Sequence, residues 1–564
     1  MSLDIIYKNY IKKIEEYKNK LLSYKNLNLN FNMIIKQKHE IDNSFGYKIA
    51  LLKINNETEV NSLINKEFKN KQIYEIFMKY YSNEYNIEKT KLDNQDIFYI
   101  ELIYKIYQNN GLYLDNIKYN IFNDILDEID ILTKKIITNI SKYRSGNHNN
   151  YNHILFLSND RDKRQKYIKK HSYECIENKE QIHNLLKIKN KKANMLGYNS
   201  FAEYIIKDNM AKTIENVKKF LDNVKDSLLP ILHKDLSLIK KEALLDNITT
   251  INEGDIFYYI NKLVSKSIEN INLNFKLNKV LSGTFKLYKR MLNYEFIELV
   301  FEKLYKVVYN NNIIGYLLLD LYKNIHKYTS AEVEIIINKT DKLIPIGAIK
   351  CNFDKNITFD ELVIFFHEFG HFIQLISSDA KYNYSSPYNT DFIEVPSQLF
   401  EELCYNKEVL QYMTDDIITS NYILLLNIKK YKFNSIEIAN QLVKSYVDLI
   451  MHSTYKVDVD IDILYNDIYK QIFGFDNILN PIYILDNIYE GYDSRYYSYL
   501  WSDIYSKDIF LTKFKNNELN ENIYLEYKNI FLSKIDYTDQ SILFKEYIKR
   551  DVNYEEYFKS IYSN

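Results

Sequence analysis

The segment FFHEFGHFIQLIS, residues 365–377, places two histidines and a glutamate in an otherwise apolar stretch. His367 and His371 are four residues apart, so on a helix both imidazoles project from the same face. Glu368 lies beside them, and a buried carboxylate is costly unless a partner compensates its charge. A divalent metal would be such a partner, because in H-E-x-x-H helices two imidazoles bind Zn²⁺ and the glutamate acts as general base.

A helix is the element that must position these residues. Thr358 and Glu361 form a capping-box pattern and no proline interrupts the apolar run from Leu362 to Ile376, so the helix should begin near Phe359. Apolar residues fall on nearly every face of it, which predicts a buried helix. The alternative is a pair of core histidines bonded to backbone carbonyls. With 10 His and at most 75 acidic residues in 564, chance supplies at most ~0.02 such motifs.

A catalytic zinc needs a third protein ligand, and Glu394 is the candidate. It lies 23 residues after His371 (394 − 371), at the start of a predicted helix whose apolar face includes Val395 and Leu399. Asp391 and Glu394 also fit a capping box, and the spacing alone does not separate the two interpretations.

Composition excludes several classes of partner. Lys+Arg 74 against Asp+Glu 75 gives a net charge of −1, which does not favour nucleic acid. Three widely spaced cysteines, Cys175, Cys351 and Cys404, fit a reducing compartment. The N-terminal segment resembles neither a signal nor a transit peptide, and no apolar run reaches membrane-spanning length. We therefore expect a cytoplasmic protein without a membrane or nucleic-acid partner.

The remaining pattern predicts a mostly α-helical chain. Only 11 Gly and 5 Pro interrupt it, and residues 1 to about 140 have the pattern of successive amphipathic helices. Thr213 is a predicted N-cap for a helix whose apolar residues recur at helical spacing up to Pro230. One region changes period: residues 304–322 contain two β-type runs around Asn310 to Asn312, followed by VEIIIN and LIPIGAIKCNF. These runs predict a small antiparallel sheet immediately before the histidine-bearing helix.

Several segments resemble the thimet oligopeptidase family of zinc peptidases, peptidase family M3. FHEFGH followed by DFIEVPSQ carries the resemblance, which implies that Glu394 is the third zinc ligand beside His367 and His371. It extends, in the family's order, through these four segments: LGYNSFAEYIIKDNMAKT (196–213), IGYLLLDLYKNIHKYTSA (314–331), IGAIKCNF (346–353) and GYDSRYYSYLWSDIYSKDIF (491–510). The resemblance covers about 90 to 564.

The resemblance also implies roles for Tyr492, Tyr496 and Tyr499, as hydroxyl donors that hold the substrate carbonyl and its developing oxyanion. With 54 Tyr in the chain, composition alone would favour core packing for such a cluster. Three departures from the family bear on substrate preference and rate. Asn487 replaces a histidine, Ser498 replaces a glycine, and YSSPYNT before Asp391 replaces a loop with Gly-Thr and a basic residue.

We therefore expect a mostly α, neurolysin-like peptidase with a deep substrate channel and a small antiparallel sheet beside the HExxH helix. An N-terminal helical region, 1–140, and a catalytic region, 141–564, would together form one channel-containing unit. The predicted activity is zinc-dependent hydrolysis of internal bonds in short peptides by a monomer with one Zn²⁺ per chain, with Glu368 as base. An extended peptide could add as a strand to a sheet edge near Ile346–Phe353. Two alternatives remain: a non-catalytic or weakly active peptide-binding relative, and another HExxH peptidase such as an aminopeptidase.

Overall fold

Helices form most of the structure, a computed structural model that describes residues 3–24, 28–48, 69–147, 153–172, 174–266, 273, 275–301, 303–324, 331–383, 390–453 and 460–562. Before the sheet, the helices are α1 (Leu3–Ser23), α2 (31–48, π-helical over Asn32–Lys36), α3 (Lys71–Asn83), α4 (Tyr85–Glu88), α5 (Asn94–Asn109), α6 (Asn116–Asn147), α7 (Arg161–Lys170), α8 (Lys179–Met195), α9 (Phe201–Ile206), α10 (Ile214–Leu245), α11 (Glu253–Ser265) and α12 (Leu277–Leu292). After the sheet, they are α13 (Phe359–Ser377), α14 (Val395–Glu401), α15 (Lys407–Met413), α16 (Ser420–Tyr431), α17 (Asn434–Ser453), α18 (Ile461–Phe473), α19 (Ser498–Ile509), α20 (Glu521–Tyr527), α21 (Gln540–Ile548) and α22 (Tyr554–Tyr562).

Short 3₁₀ and π turns connect or extend these helices. The 3₁₀ turns are Lys89–Lys91, Ile176–Asn178, Thr390–Phe392, Glu402–Tyr405, Pro481–Ile484 and Asp486–Ile488, and the further π turns are His153–Leu157, Phe510–Phe514 and Lys528–Leu532.

The predicted small sheet is present immediately before α13. Its strands are β2 (Glu295–Val300), β3 (Leu304–Tyr309), β4 (Asn312–Tyr322), β5 (Ala331–Ile337) and β6 (Ile346–Phe353), while β1 (Phe275–Lys276) and β7 (Asn356–Ile357) form a separate pair. The strand order in the larger sheet is β2-β3-β4-β6-β5. Its pairings are antiparallel except for β4 with β6, which is parallel. The mostly α fold with a small sheet beside the HExxH helix is therefore confirmed. The sheet is antiparallel as predicted except that β4 and β6 pair in parallel.

The β3–β4 hairpin shows how local sequence sets this sheet. Tyr309 pairs with Asn312, so the loop consists of Asn310 and Asn311. Their φ angles are 48° and 63°, the left-handed conformation that a tight hairpin loop requires at both positions. Asparagine tolerates that conformation better than most residues. The asparagine run was therefore a reliable turn signal.

Helix α10 begins after the predicted cap but continues past Pro230. The Thr213 side chain accepts a hydrogen bond from the backbone N–H of Asn216, as an N-cap does. Proline removes one backbone hydrogen bond at the helix interior. Buried residues continue at helical spacing beyond it, at Leu232, Leu236, Ile239 and Ala243. Packing of this second stripe outweighs the loss of one hydrogen bond, so the helix extends to Leu245.

The two largest clusters of the core are a main cluster and a smaller N-terminal cluster. The main cluster surrounds α13 and extends from Ile125 to Phe558. The N-terminal cluster joins buried residues between Tyr17 and Leu112 and includes Tyr382 from the segment after α13. The division into regions 1–140 and 141–564 stays a prediction. None of the helices in the described part of the chain combines the length and apolar character that a membrane crossing needs.

Candidate metal centre and active site

Helix α13 begins where the capping box predicts. The Thr358 hydroxyl accepts from the backbone N–H of Glu361 at 3.2 Å, and the Glu361 carboxylate accepts from the backbone N–H of Thr358 at 2.7 Å. The apolar faces of the helix are buried, including Phe365, Phe366, Phe369 and Phe372 at 0% exposure. The His367 and His371 side chains retain 24% and 21% exposure. Packing of the phenylalanines therefore fixes the helix and leaves its histidine face accessible.

Close packing of α13 against α14 brings the third predicted ligand, Glu394, to the two histidines. Gly370 lies between the two histidines, and a Cβ on it would stand 2.8 Å from the Cα of Ser397. Only a residue without a side chain permits this approach. Glu394 directly precedes α14, so the same contact places its carboxylate beside the histidine face of α13. The glycine of the HEFGH segment thus has a structural role that the sequence did not reveal.

The three predicted ligands come together. The Nε2 atoms of His367 and His371 lie 3.2 and 3.1 Å from Oε2 of Glu394. One ligand atom from each residue can be chosen so that all three lie within 4.8 Å of one another. Ser397 donates a further hydrogen bond to the same carboxylate oxygen at 3.1 Å.

Asp391 does not form the alternative capping box. Its carboxylate is fully buried and accepts from the backbone N–H groups of Met210 and Ala211, at 2.9 and 3.0 Å, and from the Tyr497 hydroxyl at 3.0 Å. It therefore anchors the chain before Glu394 to two distant segments. This result removes the capping interpretation of the Asp391–Glu394 spacing.

A second carboxylate orients one of the histidines. Oε1 of Glu401 lies 2.6 Å from Nδ1 of His367, which leaves Nε2 of that ring directed at Glu394. Such an outer carboxylate fixes the tautomer and orientation of a metal-binding histidine. Sequence reasoning missed Glu401, although its position seven residues after Glu394 places both on one side of the α14 region.

The histidines and glutamates of the cluster are electrostatically coupled. Burial opposes protonation of His367, but its hydrogen bonds with Glu394 and Glu401 raise its pKa to about 10. Burial alone would raise the pKa of Glu394, but the hydrogen bonds of His367 and His371 lower it well below its usual value. A metal ion between the three side chains would replace the His367 proton as the partner of the carboxylates. Burial raises the pKa of Glu368, which is 9% exposed, and so strengthens it as a base.

Two of the predicted tyrosine hydroxyls lie at this cluster. The Tyr492 hydroxyl donates to Oε1 of Glu394 at 3.2 Å, and the Tyr499 hydroxyl accepts from the side-chain amide of Asn487 at 2.7 Å. The Tyr492 and Tyr499 rings stack with centroids 5.0 Å apart, and Tyr496 lies 5.2 Å from Tyr499. Burial raises the pKa of all three hydroxyls, that of Tyr499 to about 12, so they remain donors near neutral pH.

A buried aspartate holds the tyrosine segment in place. Oδ1 and Oδ2 of Asp448 accept from the backbone N–H groups of Ser494 and Tyr496, both at 3.0 Å. Ser494 has a φ of 62°, a left-handed conformation that is strained for a serine. The Asp448 side chain is 1% exposed and lies 3.0 Å from Nδ1 of His452. No pattern in the sequence identified Asp448, because it lies among the buried residues of α17, between Val447 and Leu449.

A cavity of about 230 Å³ opens beside His371 and Glu394. Its walls are formed by Val333, Ile335, Asn338, Lys339, His371, Gln374, Leu375, Ala380, Tyr382, Ile393, Glu394 and Asp536. Val333 and Ile335 belong to β5, which is an edge strand. The predicted sheet edge near Ile346–Phe353 is provided by β5, because Ile346–Phe353 is β6 and pairs with a neighbour on each side. The YSSPYN residues 384–389 of the altered loop lie outside the described residues.

The sequence profile of Peptidase family M3 matches residues 154–561 of the chain. Saccharolysin of Saccharomyces cerevisiae is 25% identical over 446 residues, 68% of this chain and 61% of that protein. The thimet-like oligopeptidase of Dictyostelium discoideum is 28% identical over 414 residues, 64% of this chain and 61% of that protein. The matches thus span about three fifths of these relatives' length. Among solved structures, PZ peptidase A with an inhibitor has a TM-score of 0.64 at 12% identity, over 100% of this chain and 96% of that chain.

Proposed function

The chain belongs to peptidase family M3, and on that premise we propose that it is a zinc-dependent oligopeptidase that hydrolyses internal bonds of short peptides. One observation carries the proposal: His367, His371 and Glu394 converge next to Glu368 in the chain, and His371 and Glu394 line a cavity that an edge strand borders. Two imidazoles and one carboxylate, with room for a substrate, are the donor set of a catalytic zinc.

The residues present fit zinc. The Nε2 atoms of both histidines face one oxygen of Glu394, and Glu401 occupies Nδ1 of His367. His367, His371 and Glu394 would therefore hold the ion. When bound, Zn²⁺ would supply a Lewis acid that polarises the scissile carbonyl and acidifies the attacking water.

Glu368 would move the protons of the reaction. It lies between the two histidine ligands on α13, and its buried carboxylate would take a proton from the attacking water. It would then pass that proton to the amine that leaves. A raised pKa suits both steps, because the group must bind a proton and release it within one turnover.

The tyrosine hydroxyls would stabilise the charge that develops on the carbonyl oxygen. Tyr499 and Tyr496 lie close together, and Tyr492 contacts Glu394 directly. Because Asn487 donates its amide hydrogen to the Tyr499 oxygen, the Tyr499 hydroxyl hydrogen is available for a substrate acceptor. Asn487 thus performs a positioning task at the place where the family has a histidine.

Substrate backbone would lie along β5 rather than β6. Within the described residues β5 is an edge strand with a strand partner on one side only, and Val333 and Ile335 border the cavity. Hydrogen bonds from an added strand bind peptides with little dependence on their side chains. This arrangement favours extended, short peptides over folded proteins.

A cleavage assay on quenched peptides of increasing length tests the proposal. We expect internal cleavage of peptides up to roughly twenty residues, abolished by a chelator and restored by Zn²⁺. Blocking the N-terminus should leave cleavage intact, whereas an aminopeptidase would lose it. Zinc retention without cleavage of any length would instead support the non-catalytic peptide-binding alternative.

A further inference from the structure

One cation close to the site, Arg495, has no carboxylate within 4.0 Å among the residues that the structure describes. The arginines at 144, 161, 164, 290 and 550 each lie within 4.0 Å of a carboxylate. Arg495 is the exception among the described arginines: its Nη1 donates to the neutral hydroxyl of Thr390 at 2.7 Å, and its buried Nε has no hydrogen-bond partner. A half-buried guanidinium with an orphaned donor is costly, and an arriving anion would remove that cost.

Arg495 also joins the two segments that build the site. Its backbone N–H donates to the carbonyl of Tyr492 at 2.8 Å, and the hydroxyl of Tyr492 contacts Glu394. Its guanidinium contacts Thr390, which lies four residues before Glu394. The flanking backbone is fixed, since Ser494 and Tyr496 both donate to Asp448. Arg495 therefore connects the tyrosine segment to the chain that leads to Glu394.

The surroundings of Arg495 carry further positive charge. Nζ of Lys192 lies 5.1 Å from the ring centroid of Tyr204, and no carboxylate lies within 4.0 Å of it among the described residues. Burial and the nearby Asp208 carboxylate raise the pKa of Tyr204, and the charge on Arg495 opposes that rise, so Arg495 is within electrostatic reach of the same ring. The nearby Asp493 carboxylate is already bound by Lys189 at 2.5 Å.

We propose that Arg495 binds a carboxylate of the peptide substrate, either the C-terminal carboxylate or an acidic side chain. Planar guanidinium groups recognise carboxylates through two parallel hydrogen bonds, and the buried Nε of Arg495 has no hydrogen-bond partner among the described residues. This inference rests on the proposed peptidase function. It makes Arg495 a specificity-determining residue, because the contact is made in both the ground state and the transition state.

The test compares wild type, Arg495→Gln and Arg495→Lys on one core peptide in several forms. One form keeps the C-terminal carboxylate, one is amidated there, and a series replaces each acidic residue by its amide. Wild type should lose about 10- to 100-fold in kcat/KM, mainly through KM, when the recognised carboxylate is removed. Arg495→Gln should cleave every peptide form with the low kcat/KM that wild type has on the form without the recognised carboxylate. Arg495→Lys should have an intermediate kcat/KM on the forms that keep this carboxylate. Loss on amidation identifies the terminus, and loss at one acidic position identifies a side chain.

Two outcomes would overturn the inference. In one, wild type is insensitive to both kinds of carboxylate removal; in the other, Arg495→Gln retains the same preference among peptide forms as wild type. Arg290→Gln removes a surface charge paired with Glu408 and is the matched control for net charge. Binding of labelled peptides to Glu368→Gln and to Glu368→Gln/Arg495→Gln keeps the test independent of turnover. If wild type cleaves nothing, the proposed function fails, while the binding preference still decides the role of Arg495.

Discussion

The two halves of the site are built by different means. His367, His371 and Glu368 lie on one regular helix, and a glycine contact brings Glu394 to them. The tyrosines span 492–499, a turn and the start of α19, where buried Asp448 binds two backbone N–H groups. Helical periodicity positions the first half, and a buried polar anchor positions the second. We therefore expect mutations of the ligands in the first half to change metal content, and mutations of the tyrosines in the second half to change turnover alone.

Glu368→Gln should have the largest effect on turnover without disturbing the metal. The amide occupies the same space but cannot accept the water's proton, so kcat should fall by about 10²–10⁴-fold. Zinc content should stay at the wild-type level. Steady-state kinetics with metal analysis on the same preparation checks both. Turnover near wild type would mean that the base lies elsewhere.

Tyr496→Phe or Tyr499→Phe should each lower kcat by about 10²-fold, because an oxyanion donor acts mainly in the transition state. Tyr492→Phe should lower activity less and mainly through KM. Zinc content should not change in any of them, which separates this half of the site from the first. Tyr524→Phe is the matched control, since its buried hydroxyl donates only to the carbonyl of Glu518. If the three site variants behave like this control, the segment is packing.

Glu401→Gln should weaken zinc binding by about 10- to 100-fold while turnover per bound zinc stays near wild type. The reason is that the amide no longer holds Nδ1 of His367 with a charged acceptor. Competition titration with a chromophoric chelator measures the affinity. Glu408→Gln changes the same charge on an exposed residue and should leave zinc affinity unaltered. Equal affinities in both variants would contradict a role for Glu401 in orienting the histidine.

Asp448→Asn should have the smallest effect on chemistry and a measurable effect on stability. An amide nitrogen would face one of the two backbone donors, so the free energy of unfolding should fall by about 1–3 kcal/mol. Turnover should fall modestly as the tyrosines lose their fixed geometry, with zinc content unchanged. Denaturant titration and kinetics on one sample test this. Unchanged stability would show that the anchor is unimportant.

The regular half of the site was predictable from sequence, and the irregular half was not. Thr358 and Glu361 located the start of α13, and the four-residue spacing placed both histidines on one face. Asn310 and Asn311 located the hairpin turn for a similar reason, since their conformational tolerance is a local property.

Non-local contacts explain what the sequence left open. Asp391 resembled a local cap, yet its partners are Met210, Ala211 and Tyr497, far away in the chain. Asp448 gave no signal because its partners lie in another segment. Strand order likewise depends on long-range pairing, so the sequence indicated a sheet edge near Ile346–Phe353 without identifying β5 as the edge strand.

The zinc content per chain tests whether His367, His371 and Glu394 form a metal centre. Wild type, His371→Ala, Glu394→Gln and Tyr499→Phe would be purified in parallel and measured by mass spectrometry of the metal. We predict about one zinc per chain in wild type and Tyr499→Phe, and none retained in the two ligand variants, because three ligands complete one catalytic site. Full zinc occupancy in His371→Ala and Glu394→Gln would contradict the assignment of the metal centre.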